Sequence, residues 1–233
     1  MKTAVISDIH SNLEALEAVL RRIDDLEVST ILCLGDIVGY GPHPNECVDL
    51  IRSRCSAVVK GNHDSGTCGE TPLDHFNQFG RAAIEWTQEN ISQENLDYLR
   101  ELPLKATLPG ITIVHSSPVN PGEWEYILTL NQAIDCFNSF DTPVCFIGHT
   151  HVPIIVADNF SAGDFLEGRR HLINAGSVGQ PRDHNPRSAF GVFDEEEKTY
   201  NLHRVAYDTK NTAKAIRKAG LPSYLGKRLH RGV

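Results

Sequence analysis

The fold is decided near the start of the chain, by AVISDIHSNLEALEAVLRRIDDLEVSTILCLGD, residues 4–36. Ala4 to Ser7 is a short, mostly apolar run of strand length. From Asn12 the period changes: Leu13, Leu16, Val19, Leu20 and Ile23 fall on one helical face, with Glu14, Glu17, Arg21 and Arg22 elsewhere. Ile31 to Leu34 is a second apolar run, stopped by Gly35. Two such runs joined by an amphipathic helix make a strand–helix–strand unit, which implies a parallel sheet with helices on its faces.

The same alternation continues outward. Pro44 opens a second helix that turns Cys47, Val48, Leu50 and Ile51 inward, and Ala57 to Lys60 is a third strand, stopped by Gly61. Asp74 to Leu102 reads as helix in two pieces, with Ser92 as N-cap of the second and Pro103 as its stop. Further strands are expected at Lys105–Leu108, Ile111–His115, Val144–Ile147, Pro153–Ala157, Leu172–Asn174, Ala189–Phe193 and Tyr200–Val205. Helices are expected at Leu130–Phe140 and Asp208–Ala219, followed by a basic tail carrying Lys227, Arg228 and Arg231 as a solvated end. With no repeat and no low-complexity linker, residues 1–233 are expected to form one α/β domain with two sheets. Residues 74–102 form a cap-like segment in this scheme, and residues 221–233 a tail.

Composition narrows the function. Lys and Arg total 22 against 30 Asp and Glu, a formal charge of −8, which argues against binding long nucleic acid along a basic face. A hydrophobic content of 40% with 22% charged residues is globular and too apolar for disorder. No apolar run approaches the ~18–20 residues of a membrane span. Asp8 comes too early to leave room for the apolar region of a secretion signal. The six cysteines, Cys33, Cys47, Cys55, Cys68, Cys136 and Cys145, show no Cys-x-x-Cys spacing and are read as reduced and mostly buried. A cytoplasmic location follows as the expectation. The 11 histidines are many for this length, and they cluster in motifs.

Asp8-Ile9-His10 follows the first strand, Gly35-Asp36 the second, Gly61-Asn62-His63-Asp64 the third, and Gly148-His149-Thr150-His151 the strand Val144–Ile147; His115 ends another. Ligands of α/β sheets bind at the carboxyl ends of strands. Singly, each motif has an ordinary structural explanation: a helix cap, a turn, a core histidine. The turn at Gly61-Asn62 nevertheless has no use for His63, and Gly-His-Thr-His puts two imidazoles on one side of an extended segment. Five strand ends carrying Asp, Asn or His are a metal-ligand set.

These motifs resemble those of the calcineurin-like metallophosphoesterase superfamily, in particular its small single-domain bacterial and archaeal members. The stretches Ser7-Asp8-Ile9-His10-Ser11-Asn12, Gly35-Asp36-Ile37-Val38-Gly39-Tyr40-Gly41-Pro42 and Asn174-Ala175-Gly176-Ser177-Val178-Gly179-Gln180-Pro181-Arg182 support it, and it runs from Lys2 to about Tyr207. The expected fold is a four-layer αββα sandwich, two mixed sheets face to face and flanked by helices, with the metal site at strand C-terminal ends. The resemblance implies two divalent ions, one held by Asp8, His10, Asp36 and His151, the other by Asp36, Asn62, His115 and His149, with Asp36 bridging. Carboxylate, imidazole and amide donors suit Mn first, with Fe, Zn, Ni or Co open. Two such ions against two carboxylates leave the site positive, which attracts a phosphate.

The implied reaction is hydrolysis of a phosphate ester by a hydroxide bridging the ions. The catalytic candidates are His63, facing the substrate, and Asp64, orienting that loop or a ligand imidazole. Candidate substrate contacts are Asn62, His63, Tyr40, Asn12 and Arg182. For Tyr40 a hydroxyl aimed at the site and a buried structural ring both stay open; for Asn12, a helix cap and a substrate contact. Protein Ser/Thr phosphatases of the superfamily carry Gly-Asp-x-x-Asp followed by Arg, whereas this chain has Gly39 and Tyr40 there, so His63 lacks that acidic partner. The expected substrate is a small phosphodiester, phosphomonoester or nucleotide, dinucleoside polyphosphates included. The alternatives are an inactive interaction scaffold on the same fold and a nuclease acting on short oligonucleotides. No membrane partner is expected, and a homodimer is open.

Overall fold

In the computed structural model, which describes residues 2–233, the chain runs β1 (Lys2–Ile6), α1 (Leu13–Asp25), β2 (Thr30–Cys33), α2 (Pro44–Arg54), β3 (Ala57–Val58), α3 (Asn62–Thr67), α4 (Gln78–Asn90) and α5 (Gln93–Glu101). There follow β4 (Lys105–Leu108), β5 (Ile111–Val114), α6 (Leu130–Cys136), β6 (Val144–Ile147), β7 (Ile154–Ala157), β8 (His171–Asn174), β9 (Ser188–Asp194), β10 (Thr199–Val205), α7 (Thr209–Lys218) and α8 (Ser223–Leu229). The first sheet has the order β10-β9-β1-β2-β3, the second β4-β5-β6-β8-β7. Strands β1, β2 and β3 are mutually parallel, as are β5, β6 and β8; β9, β10, β4 and β7 run antiparallel to their neighbours.

The apolar runs lack a polar face because both of their faces are covered. Side chains alternate across each strand. Val5, Leu32 and Leu34 therefore meet Ile113, Val144, Phe146 and Ile173 between the sheets. Ala4, Ile6, Ile31 and Cys33 point the other way, onto Leu16, Val19 and Ile23 of α1 and Val48 and Ile51 of α2. Cys145 and Ile147 of β6 pack beneath Ala133 and Cys136 of α6. Helix, sheet, sheet and helix are thus stacked as four layers, as expected. All six cysteines are free, and no helix among the described residues is long and apolar enough to cross a membrane.

Two segments differ from expectation. Residues 221–233 are not a solvated tail. Helix α8 buries Leu225 and Leu229 against Ile216 of α7, Ala83 of α4 and Tyr40, and the Gly232 carbonyl accepts from the His184 N–H at 2.8 Å. The turn after β3 winds into the short helix α3, which starts at Asn62 itself. Within residues 74–102, α4 and α5 pack against α3, and α5 also against α2. Phe79 and Trp86 join the cluster around Tyr40.

Candidate metal centre

Parallel neighbours end at the same side of a sheet, so the residues just past β1, β2, β3, β5 and β6 converge. Asp8, His10, Asp36 and His151 bring one donor atom each to within 4.8 Å of one another; Asp36, His115 and His149 do the same. Asp36 belongs to both groups. All of these side chains are buried. Five of the seven expected ligands sit at left-handed backbone angles, with φ 54° at Asp8, 51° at His10, 51° at Asp36, 67° at His149 and 61° at His151. Each costs about 1–2 kcal/mol relative to ordinary conformations. Gly148 is required by close approach: a Cβ there would strike the Ser7 hydroxyl and the Asp8 carboxylate.

The imidazole hydrogen bonds carry the chemistry. His10 Nδ1 lies 3.2 Å from the Val38 carbonyl, His115 Nδ1 2.8 Å from Leu34, His151 Nδ1 2.6 Å from Gln180, and His149 Nε2 2.9 Å from Trp124. A carbonyl only accepts, so each of these nitrogens carries the proton, and the other nitrogen of each neutral ring presents a lone pair. Those second nitrogens face one another: His10 Nε2 and His151 Nε2 are 3.2 Å apart, and so are His115 Nε2 and His149 Nδ1. Two lone pairs at that distance repel unless a cation or proton lies between them. Asp8 Oδ1 and Asn62 Oδ1 are also buried without a hydrogen-bond partner. Converging imidazole, carboxylate and amide donors, already oriented through their outer atoms, fit divalent metal ions.

Without metal, protons fill this role in part. Burial lowers His10 and His151 well below the ordinary histidine value, His149 to about 3 and His63 to about 4. His115 is the exception. Burial works against its charged form, but Asp36, at 3.4 Å, and Asp8 outweigh it and raise His115 to about 9. Burial pushes Asp8 up to about 6, against the attraction of His115. For Asp36 burial is overcome by His115, His63 and His10, which hold the carboxyl well below the usual range.

The remaining candidates separate clearly. His63 is 4% exposed, packed between the rings of Tyr40 at 4.4 Å and Phe76 at 5.1 Å, and its buried Nδ1 has no partner. The space a second acidic residue would need is filled by His63 itself: Gly39, at φ 85°, lies so close that a Cβ would collide with the His63 ring. Asp64 turns away from the reacting region. Its carboxylate accepts from the Ile37, Val38 and Gly61 N–H groups at 2.8, 3.1 and 2.9 Å, so it ties the β2 and β3 loops together. Of the two roles expected for Asp64, orienting its loop is the one these bonds describe: a carboxylate spent on three backbone donors positions the loops. It does not orient a ligand imidazole.

Tyr40 is 6% exposed, with its hydroxyl beside Gly80 of α4 and its ring against His10 and His63, so it is a wall of the site. For Asn12 the helix cap is the role its bonds describe: its Oδ1 accepts from Ala15 N at 3.3 Å and from Thr212 Oγ1 at 3.2 Å, and its Nδ2 donates to Gly179 O at 2.7 Å and to the Tyr207 hydroxyl at 3.2 Å. The Arg182 guanidinium lies 6.0 Å over the Tyr40 ring and donates to Gln180 Oε1 at 3.0 Å; its positive field reaches His10, His63 and His151. The Asn174–Arg182 loop packs behind the ligands: Ser177 Oγ donates to Asp8 O at 2.8 Å, and Asn174 Nδ2 to Gly148 O at 2.5 Å.

A cleft of about 500 Å³ opens beside Asn62, His63 and His149. Phe76, Glu123, Trp124 and Tyr126, which sequence reasoning missed, line it. The available signal was an aromatic pair two positions apart, after Pro121-Gly122, in the segment leaving the ligand strand β5.

A sandwich of this topology, with this donor set at its strand ends, defines a metal-dependent hydrolase. The model of the calcineurin-like phosphoesterase superfamily domain matches residues 1–198, and the chain belongs to that superfamily. It is a phosphoesterase. It is 44% identical to uncharacterized protein MJ0912 of Methanocaldococcus jannaschii, across 98% of this chain and 97% of that one. The crystal structure of a metallophosphoesterase from Sphaerobacter thermophilus superposes with a TM-score of 0.89 at 42% identity, covering 100% of this chain and 99% of that chain. Phosphodiesterase YfcE of Escherichia coli is 26% identical over 84% of this chain and 89% of its own length.

Proposed function

We propose that residues 1–233 act as one catalytic unit that hydrolyses small phosphate esters at a binuclear metal centre, with Mn the first candidate. Asp8, His10, Asp36 and His151 would hold one ion, and Asp36, Asn62, His115 and His149 the other. The observation that carries this is the convergence of ring nitrogens whose opposite nitrogens are already bonded to carbonyls, His10 with His151 and His115 with His149, in two groups that share Asp36. Bound divalent ions supply Lewis acidity toward the phosphoryl oxygens and toward water.

The chain's own residues do the rest. Asp36 gives one oxygen to the His63 N–H at 2.8 Å and turns the other toward His115 and His10, so one carboxylate fixes both the ligand geometry and the His63 turn. His63, held neutral by burial, stands at the cleft with a ring N–H to donate to a phosphoryl or leaving oxygen. Arg182 adds positive charge beside Tyr40 and favours an anion at the centre. The cleft has the size of a small-molecule site.

The test is metal analysis together with turnover of p-nitrophenyl phosphate and bis-p-nitrophenyl phosphate after loading with Mn, Fe, Co, Ni or Zn. Two ions per chain and turnover of at least one ester are expected. Fewer than two tightly held ions, or no turnover with any metal, sinks the proposal.

A further inference from the structure

We infer that the cleft beside the ligand cluster is a nucleobase site, walled by Phe76, Trp124 and Tyr126, that receives the base of a nucleotide whose phosphate lies at the metal centre. This inference rests on the phosphoesterase function proposed above and names its substrate class.

Tyr126 stacks on the ligand imidazole of His149, with ring centroids 3.9 Å apart and planes 21° from parallel. It is nonetheless 45% exposed. One face of its ring is occupied by His149, and the remaining ring surface is open to the cleft that it lines. A flat group laid there is one ring away from a metal ligand, the reach from a base to its own phosphate in a folded-back nucleotide. Trp124 is fixed beside it at φ 56°, a left-handed conformation that a bulky residue avoids unless its surroundings impose it. Two hydrogen bonds impose it here: His149 Nε2 donates to the Trp124 carbonyl at 2.9 Å, and the indole Nε1 donates to Thr71 Oγ1 at 3.0 Å. The aromatic wall is therefore latched to the ligand cluster. A plain surface connector needs no such latch.

Charge selects among occupants. No Lys or Arg lines this cleft, so no permanently charged cation awaits a second phosphate in it; His75, Asn62 and Asn77 are its other polar side chains beside His63, His149 and Thr71. Glu123 does line it and brings an acidic side chain instead. A carboxylate accepts and does not donate at neutral pH. The cleft therefore suits a neutral aromatic group that carries hydrogen-bond donors, and the exocyclic amino group of adenine, guanine or cytosine is that combination. Bases stack on aromatic side chains irrespective of sequence, and an alanine substitution at such a platform weakens binding by a factor of about ten or more.

The experiment reads binding rather than turnover. The chain has two tryptophans, so Trp86→Phe leaves Trp124 as the only one. Adenosine is expected to quench its fluorescence saturably. In calorimetry with the unsubstituted protein, adenosine 5′-monophosphate is expected to bind about tenfold or more tightly than ribose 5-phosphate. Tyr126→Ala should erase most of that preference, and Tyr126→Phe, which keeps the ring, should preserve it. Equal affinity for the two phosphates, or a preference unaffected by Tyr126→Ala, overturns the nucleobase site. Turnover of nitrophenyl esters without a base preference would overturn this inference and leave the phosphoesterase proposal standing; a base preference without turnover would do the reverse.

Discussion

The ligand cluster and the cleft wall meet at His149 and are built by different rules. The cluster hangs on the sandwich: its ligands lie at or just past the ends of five strands, and their outer nitrogens are pinned by carbonyls of the same frame, Leu34, Val38 and Gln180. The wall comes from connecting chain, residues 71–77 and 123–126, whose only regular pieces are short 3-10 turns at Leu73–His75 and Pro121–Glu123, and its central tryptophan is held by the bonds to His149 and Thr71. Chemistry that must be placed to a fraction of an ångström sits on the rigid part, and recognition sits on the part that loops can vary. Substitutions on either side can break one of these parts and show whether the other survives.

The largest effect belongs to Asp36, the residue shared by both ligand groups. Asp36→Asn removes the carboxylate that opposes both groups and is expected to abolish metal retention and activity together. The loss should exceed the roughly 10²–10⁴-fold expected for a general acid–base residue alone. Metal content by mass spectrometry checks it; a variant that still holds two ions refutes the shared-ligand arrangement. His63→Gln comes next. His63 touches the cleft and donates no atom to either ligand group. Turnover should fall by about 10²–10⁴-fold with metal content unchanged, and a parallel loss of metal would place His63 in the cluster instead.

The cluster was legible in the sequence because its parts are local. A strand buried on both faces, then Gly or Asp, then His or Asn, is a pattern of four or five adjacent residues, and the sheet brings such patterns together without further instruction. Asp64 was legible only in part, and Gly39 and α8 were not, for a common reason: their meaning lies in contacts distant along the chain. Asp64 looks like any acid beside a histidine until the N–H groups of Ile37 and Val38 arrive from the β2 loop. The missing acid at position 39 reads as a gap in the pattern, and only the folded chain shows His63 filling that space. In α8 the sole signal was Leu225 and Leu229, one helical turn apart within an otherwise basic stretch. Trp124 and Tyr126 sit in a segment with no period at all, and their role depends on a bond to His149, 25 positions away.

Metal removal should expose the cluster to pH. Below the unfolded histidine value of about 6.5, the unfolded chain protonates four imidazoles, His10, His63, His149 and His151, that the metal-free fold keeps neutral. Asp8, raised to about 6, and Asp64, raised to about 7, act in the opposite sense, since the fold retains protons there that unfolded carboxylates release above about pH 4. Over these six groups the unfolded state near pH 5 thus binds about two more protons, and His171 and His203, both lowered by burial, add in the same direction, so stability falls as pH falls. His115, raised to about 9, stabilises the fold at and below pH 6.5 and loses that contribution as pH rises through 9. Thermal melts of chelator-treated protein at pH 5, 6.5 and 9 should peak in the middle. With about 1.4 kcal/mol per proton per pH unit, the acid limb amounts to a Tm loss of several degrees. A curve that changes in one direction only across this range refutes the assignment of opposed titrations.

The smallest effect should come from the wall. Thr71→Val keeps the shape of the side chain and deletes the hydroxyl that accepts from the Trp124 indole at 3.0 Å and pairs with Ser65 Oγ at 2.8 Å. The indole is only part-buried, so water can replace the lost acceptor, and the cost to stability should be about 0.5–1.5 kcal/mol. Metal content should not change, because the cluster is pinned from the strand side by bonds that this substitution leaves alone. The emission of Trp124 should shift as the ring loses its anchor, and KM should rise more than kcat falls, since a displaced wall weakens binding without moving His63 or the ligands. If Thr71→Val instead releases metal, the strain stored at Trp124 is transmitted through its carbonyl to His149. Wall and cluster would then be one mechanical unit, and the division between a rigid reacting frame and a variable recognition surface would fail at that bond.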